Sequence, residues 1–131
     1  MNDELKGSLS EALQGLIYIS ETDAGITPFE GGQAGEVTAA NLLAQAGAAA
    51  DSPVEERGFE EIFARLTRVY EGAGESQAAT AGRFAALKSL LERNLRDLKV
   101  FKVGKIRVDV YMVGLDADGN LSGVKTKAVE T

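Results

Sequence analysis

The chain has 131 residues, with 14 Lys and Arg against 20 Asp and Glu, a formal net charge of −6, and no cysteine, histidine or tryptophan. Without Cys or His there are no disulfides, no thiol nucleophile, no zinc site of the usual kind and no nucleophile–His pair. The negative charge disfavours direct contact with nucleic-acid phosphates and favours a basic protein partner. At 44% hydrophobic and 26% charged, the composition is that of an ordinary globular protein, and residues 1–131 are expected to form one domain around a single core. Met1-Asn2-Asp3-Glu4 is acidic where a secretory leader is basic. No apolar run approaches the roughly 18 residues needed to cross a bilayer, so a soluble, cytoplasmic protein without membrane contact is expected. The charge is polarised along the chain: residues 1–82 carry 4 basic and 14 acidic side chains, and residues 83–131 carry 10 basic and 6 acidic.

In chain order, Asn2 or Asp3 can cap a first helix in which Leu5, Leu9, Ala12, Leu13 and Leu16 recur at helical spacing, with Ser8 to Glu11 as a second possible capping box. The run Gly15 to Ile19 leads into the polar stretch Ser20 to Gly25, which reads as a surface loop. Ile26 to Glu30 is a short strand candidate, and Gly31-Gly32-Gln33-Ala34-Gly35 reads as a flexible break, since it lacks the Lys-Ser/Thr of a P-loop and the spacing of a dinucleotide fingerprint. Thr38 caps a second helix through Leu42, Leu43 and Ala46 that stops at Gly47. A short strand at Val54–Arg57, a helix from about Phe59 to Leu66 and a Gly-containing loop at Val69–Glu75 follow. Ser76 is then expected to cap a core helix with Phe84, Leu87, Leu91, Leu95 and Leu98 on one face. After it the period changes to two. Lys99–Val103, Lys105–Val113 and Leu121–Val129 predict an antiparallel meander, with Asp116 to Asn120 supplying a turn. Several helical stripes need more than one sheet face to cover them, so helices on both sides of the sheet are expected.

Few residues suggest chemistry. Asp116-x-Asp118-Gly119 places Gly fourth and Lys127 twelfth, where a calcium loop needs Gly sixth and Glu twelfth, and reads as a hairpin turn. Glu55-Glu56 and Glu60-Glu61 are adjacent acids, which point apart on a helix and do not form a catalytic pair. The basic residues Arg83, Lys88, Arg93, Arg96, Lys99, Lys102 and Lys105 lack interleaved aromatics and read as a solvated helix face. Lys125 to Thr131 is different, because it stays β-prone to its last residues. Either the chain merely ends there, or a strand holds the α-carboxylate in a defined place beside Glu130, offering oxygen ligands that a hard divalent cation accepts.

The segment Gly119-Asn120-Leu121-Ser122-Gly123-Val124-Lys125-Thr126-Lys127-Ala128-Val129-Glu130-Thr131 closely resembles the end of the nuclease A inhibitor (NuiA-like) family. Val108-Asp109-Val110-Tyr111, Arg93-Asn94-Leu95 and Gly15-Leu16-Ile17-Tyr18-Ile19-Ser20-Glu21 extend the resemblance over almost the whole chain. It implies an α+β fold, a three-layer α/β/α sandwich around a small, mainly antiparallel four-stranded sheet. It also implies a non-enzymatic protein that inhibits a sugar-non-specific DNA/RNA endonuclease, and the free protein is expected to be monomeric. By the same resemblance, the carboxylate of Thr131 would ligate the nuclease's catalytic magnesium, with Glu21 also reaching the active site and Glu71 matching an acid of a partner-facing family loop; Glu130, beside the terminal carboxylate, is expected to contact the partner as well. The magnesium would be the partner's, bridged in the complex, with no cofactor of the inhibitor's own. Glu71-Gly72-Ala73-Gly74 keeps the acid of a family loop and lacks the aromatic residues that follow it there. The alternative is an interaction module of the same fold that binds another basic partner without inhibiting a nuclease.

Overall fold

The computed structural model describes residues 1–130. Helix α1 (Asp3–Leu13) starts at Asn2, whose side-chain oxygen accepts a hydrogen bond from the Leu5 amide at 2.8 Å. This satisfies one of the amides that a helix start leaves open. Leu5, Leu9 and Leu13 share its buried face, whereas Leu16 lies in the turn beyond and the Ser8–Glu11 pair is interior to the helix. Strand β1 (Ile17–Ile19) then pairs antiparallel with β2 (Asp23–Gly25), so the polar stretch after Ile19 is a tight turn and a strand rather than a loop. The Ser20 hydroxyl closes that turn, donating to the Thr22 carbonyl at 3.1 Å and accepting from the Thr22 amide at 3.3 Å.

Strand β3 (Thr27–Gln33) runs through Gly31-Gly32, where the composition predicts a break. Glycine serves close approach here: a Cβ on Gly31 would sit 2.7 Å from the Leu121 carbonyl oxygen. Gln45 holds the irregular end of the strand, accepting from the Gly32 amide at 2.7 Å and donating to the Gln33 carbonyl at 3.1 Å. Gln45 belongs to α2 (Ala39–Ala46), which is capped by Thr38 and stopped by a left-handed Gly47 as the sequence predicts. Strand β4 (Val54–Gly58) and helix α3 (Phe59–Leu66) follow. Helix α4 (Glu75–Asn94) starts one residue before Ser76, with Gly74 at its cap and no side-chain capping bond. It also ends earlier than its leucine spacing suggests. Leu95 and Leu98 stand at the entrance of β5 (Arg96–Val103), where a bulge at Asp97 (φ 56°) keeps both against the same core as the helix.

Strands β6 (Arg107–Leu115) and β7 (Asn120–Val129) complete an antiparallel sheet in the order β3-β7-β6-β5-β4. It has five strands rather than the four implied by the family resemblance, because the two short candidates near Ile26 and Val54 each join one edge of the central meander. Both faces of β6 are apolar. Val108, Val110 and Met112 face the leucines and phenylalanines of α1, α3 and α4, while Tyr111, Val113 and Leu115 face Leu42 and Leu43 of α2. Each fully buried leucine, such as Leu9 or Leu91, contributes about 2 kcal/mol of transfer free energy. Eight residues of α2 span about 12 Å, so the helix covers only part of its face. Thr27, Asp109, Lys125 and Lys127 remain exposed beside it.

The β6–β7 turn is built on Asp116. Its carboxylate accepts from the amides of Asp118 and Asn120 at 2.9 and 3.0 Å, from the Ser122 hydroxyl at 2.9 Å and from the Met1 ammonium at 2.9 Å. Burial opposes the charge, but these donors outweigh it and hold the carboxyl below its ordinary pKa. The stabilisation is therefore complete above the unfolded carboxylate pKa of about 4 and is lost as pH falls through the lower folded value. Asp116→Ala should cost about 2–3 kcal/mol in urea denaturation at neutral pH, because it leaves several buried donors unsatisfied. The same variant should flatten the acid limb of the stability curve.

Candidate functional site

The end of β7 is held on two edges. Toward the sheet interior it pairs with β6 as far as Val129, opposite Arg107. Toward the outside, β3 accompanies it only to Lys125, and the β1–β2 hairpin takes over from there. Thr126 donates through Oγ1 to the Gly25 carbonyl at 2.9 Å, the Val129 amide donates to Ser20 Oγ at 3.0 Å, and the Glu21 amide donates to the Val129 carbonyl at 3.5 Å. The Glu130 amide then donates to the Ile106 carbonyl at 2.8 Å. Chain ends fray unless they are tied down, and these bonds order this one through residue 130.

A side chain adds a further tie. Glu130 Oε2 lies 2.9 Å from Lys102 Nζ; the lysine side chain is 8% exposed and the glutamate 41%. Lysine is seldom buried unless it is paired, and here its stem lies on the sheet face it shares with Leu98 and Val100. Lys102 is thus no part of a solvated helix face, and the basic residues grouped with it in the sequence are dispersed. Arg83 donates to the carbonyls of Ala12 and Gln14, Lys88 pairs with Glu60, and Lys99 donates to the Val37 carbonyl. The adjacent acids are also engaged. Glu55 and Glu61 both pair with Arg57, which holds the Glu61 carboxyl below its usual range. Glu56 lies 3.9 Å from Lys99.

Residues 3–131, essentially the whole chain, match the nuclease A inhibitor-like proteins. The chain belongs to this family. Comparison with curated proteins returns no match. The family consists of nuclease inhibitors rather than enzymes, and its name implies a nuclease as the partner. Among the described residues of this nuclease A inhibitor-like protein, no helix is long and apolar enough to cross a membrane, and no three acidic side chains converge into a cation cage.

The structure brings two of the predicted site residues together. The Glu21 amide, at the β1–β2 turn, donates to the carbonyl of Val129, the residue that precedes Glu130. Glu71 is exposed in the loop over residues 67–74 between α3 and α4, next to Tyr70. Thr131 lies outside the described residues. Lys102, Ser20 and Ile106, which hold the end of β7, escape the sequence reading. Only Lys102 leaves a sequence trace: in the alternation Leu98, Val100, Lys102 a cation occupies the inward face of a strand.

Proposed function

We propose that this protein inhibits a magnesium-dependent, sugar-non-specific DNA/RNA endonuclease by placing its C-terminal carboxylate on the nuclease's catalytic metal. The observation that carries the reading is the fixation of β7 through Glu130 by the Ser20 hydroxyl, the Ile106 carbonyl and the Lys102 ammonium. An anion presented on an ordered strand loses little entropy on docking. Magnesium is a hard cation that keeps several waters and takes one or two carboxylates, so a carboxylate entering its shell displaces a water or the substrate phosphate. The metal is held by the nuclease, and this chain contributes a single additional ligand. A net charge of −6 steers the inhibitor toward a groove made positive for nucleic acid.

Titration into a plasmid-cleavage assay with a purified magnesium-dependent sugar-non-specific endonuclease tests the reading. Stoichiometric loss of cleavage is expected. Binding without loss of cleavage would identify an interaction module instead. Glu21→Gln preserves shape and removes one negative charge from the hairpin tip beside the terminus, and should weaken inhibition by about tenfold, the effect of losing one charged contact in a basic cleft. An unchanged inhibition constant would remove Glu21 from the contact surface.

A further inference from the structure

Among the described residues, the exposed large apolar side chains are Ile17, Ile19, Val69, Tyr70 and Ile106, and three of them, Ile17, Ile19 and Tyr70, line one groove. Ile17 and Ile19 alternate with the buried Tyr18 along β1, and the Arg65 guanidinium, 2.7 Å from the Tyr18 hydroxyl, fixes that strand against α3. Ile17 and Ile19 line a groove of about 640 Å³ together with Leu66, Tyr70, Ala81 and Phe84. Val69 adjoins Tyr70. Ile106 is not part of this lining; its carbonyl accepts the Glu130 amide. Single exposed aliphatics are ordinary on a soluble surface, but a group gathered around a groove and edged by charge marks a contact surface. The one charged residue in the groove itself is Arg65, whose guanidinium is engaged by the Tyr18 hydroxyl, while exposed acids stand next to the lining in sequence: Glu21 two residues past Ile19, Glu71 after Tyr70, and Glu75 between Gly74 and Ser76.

We propose that this groove belongs to the same interface as the end of β7, and that it receives an apolar side chain from the shoulder of the nuclease's basic, metal-bearing cleft. The inference rests on the inhibitory function proposed above. Continuity is the first argument. Ser20, which directly follows Ile19, bonds to Val129, so the groove opens one residue from the terminal site. A stable interface covers about 800 Å² on each partner, a disc of roughly 16 Å radius, whereas the three residue steps from Ser20 back to Ile17 span about 10 Å. An interface of that size centred on the end of β7 therefore reaches the Ile17 and Ile19 side of the groove. Charge is the second argument, because the acids next to the lining complement a basic cleft and would repel those of a second copy. A buried apolar anchor within a desolvated patch is the usual source of large binding effects.

The test is isothermal titration against a purified magnesium-dependent sugar-non-specific endonuclease, once with magnesium and once in EDTA. The double substitution Ile19→Ser with Tyr70→Ser removes apolar surface at positions more than half exposed, so thermal melts should be unchanged. Ser76→Trp, at an exposed position lining the groove, fills it instead. Both are expected to weaken binding by about 30-fold, with or without magnesium. Deleting Thr131 should weaken binding only when magnesium is present. Wild-type affinity in both groove variants, with inhibition by the parent protein intact, would overturn the groove proposal and leave the inhibitory reading standing. A change confined to sedimentation of the free protein would overturn it in favour of self-association. A parent protein that neither binds nor inhibits would overturn the functional reading and the groove proposal together.

Discussion

Deletion of Thr131, or extension of the chain by a C-terminal tag, is expected to weaken nuclease inhibition by about three orders of magnitude, equivalent to roughly 4 kcal/mol. The thermal transition should not move. Pairing between β6 and β7 ends at Val129, and the ties at Ser20, Ile106 and Lys102 all act on residues 129 and 130, so the fold loses nothing that these contacts supply. On the proposed mechanism, what is lost is the carboxylate that ligates the nuclease's metal. A tag keeps a carboxylate on the chain but moves it away, so the two changes should act alike. Inhibition constants from cleavage assays, with circular-dichroism melts alongside, check both halves. Undiminished inhibition by either form would exclude the α-carboxylate as a metal ligand.

Lys102→Met should weaken inhibition by about 10- to 100-fold with little change in stability. Methionine preserves the apolar stem packed beneath the sheet, and Glu130, 41% exposed, can be resolvated once the cation is gone. The cost of freezing a residue's backbone is about 1–2 kcal/mol, so releasing the last residues from their anchor transfers that cost to the binding step. Amide heteronuclear relaxation of Val129 and Glu130 in the free protein should report the released motion, a readout that loss of core packing elsewhere would not produce. Lys102→Arg keeps the charge and should restore most of the inhibition. Equal inhibition by the Met variant and the parent would mean that the ion pair serves the fold alone.

Much of this arrangement is legible in local sequence. The Asn2 and Thr38 caps, the Gly47 stop and the two-residue period from Lys99 onward predict their elements, because each depends on neighbours a few residues apart. The misread elements depend on distant partners. Gly31-Gly32 lies within a strand because β3 pairs with β7 on both sides of it, at Glu30 and at Gln33, with the Leu121 carbonyl leaving no room for a Cβ at Gly31, and Leu95 and Leu98 mimic helical spacing although a bulge at Asp97 places them at the start of a strand. The terminal site divides in the same way. Its β-prone sequence is visible, whereas the Ser20 contact reaches across 109 residues and the Lys102 contact across 28, beyond any local pattern. Glu21 enters the sequence reading only through family resemblance, and the hairpin that carries it beside Val129 is a tertiary feature.

Coordination by the terminal carboxylate is tested most directly by labelling the Thr131 carboxyl carbon with carbon-13 and binding the inhibitor to nuclease loaded with magnesium or with paramagnetic manganese. Direct ligation predicts a single shifted resonance in the magnesium complex and its complete broadening in the manganese complex. A carboxyl signal that keeps its free-protein position and stays sharp in both complexes, while cleavage remains blocked, would contradict it.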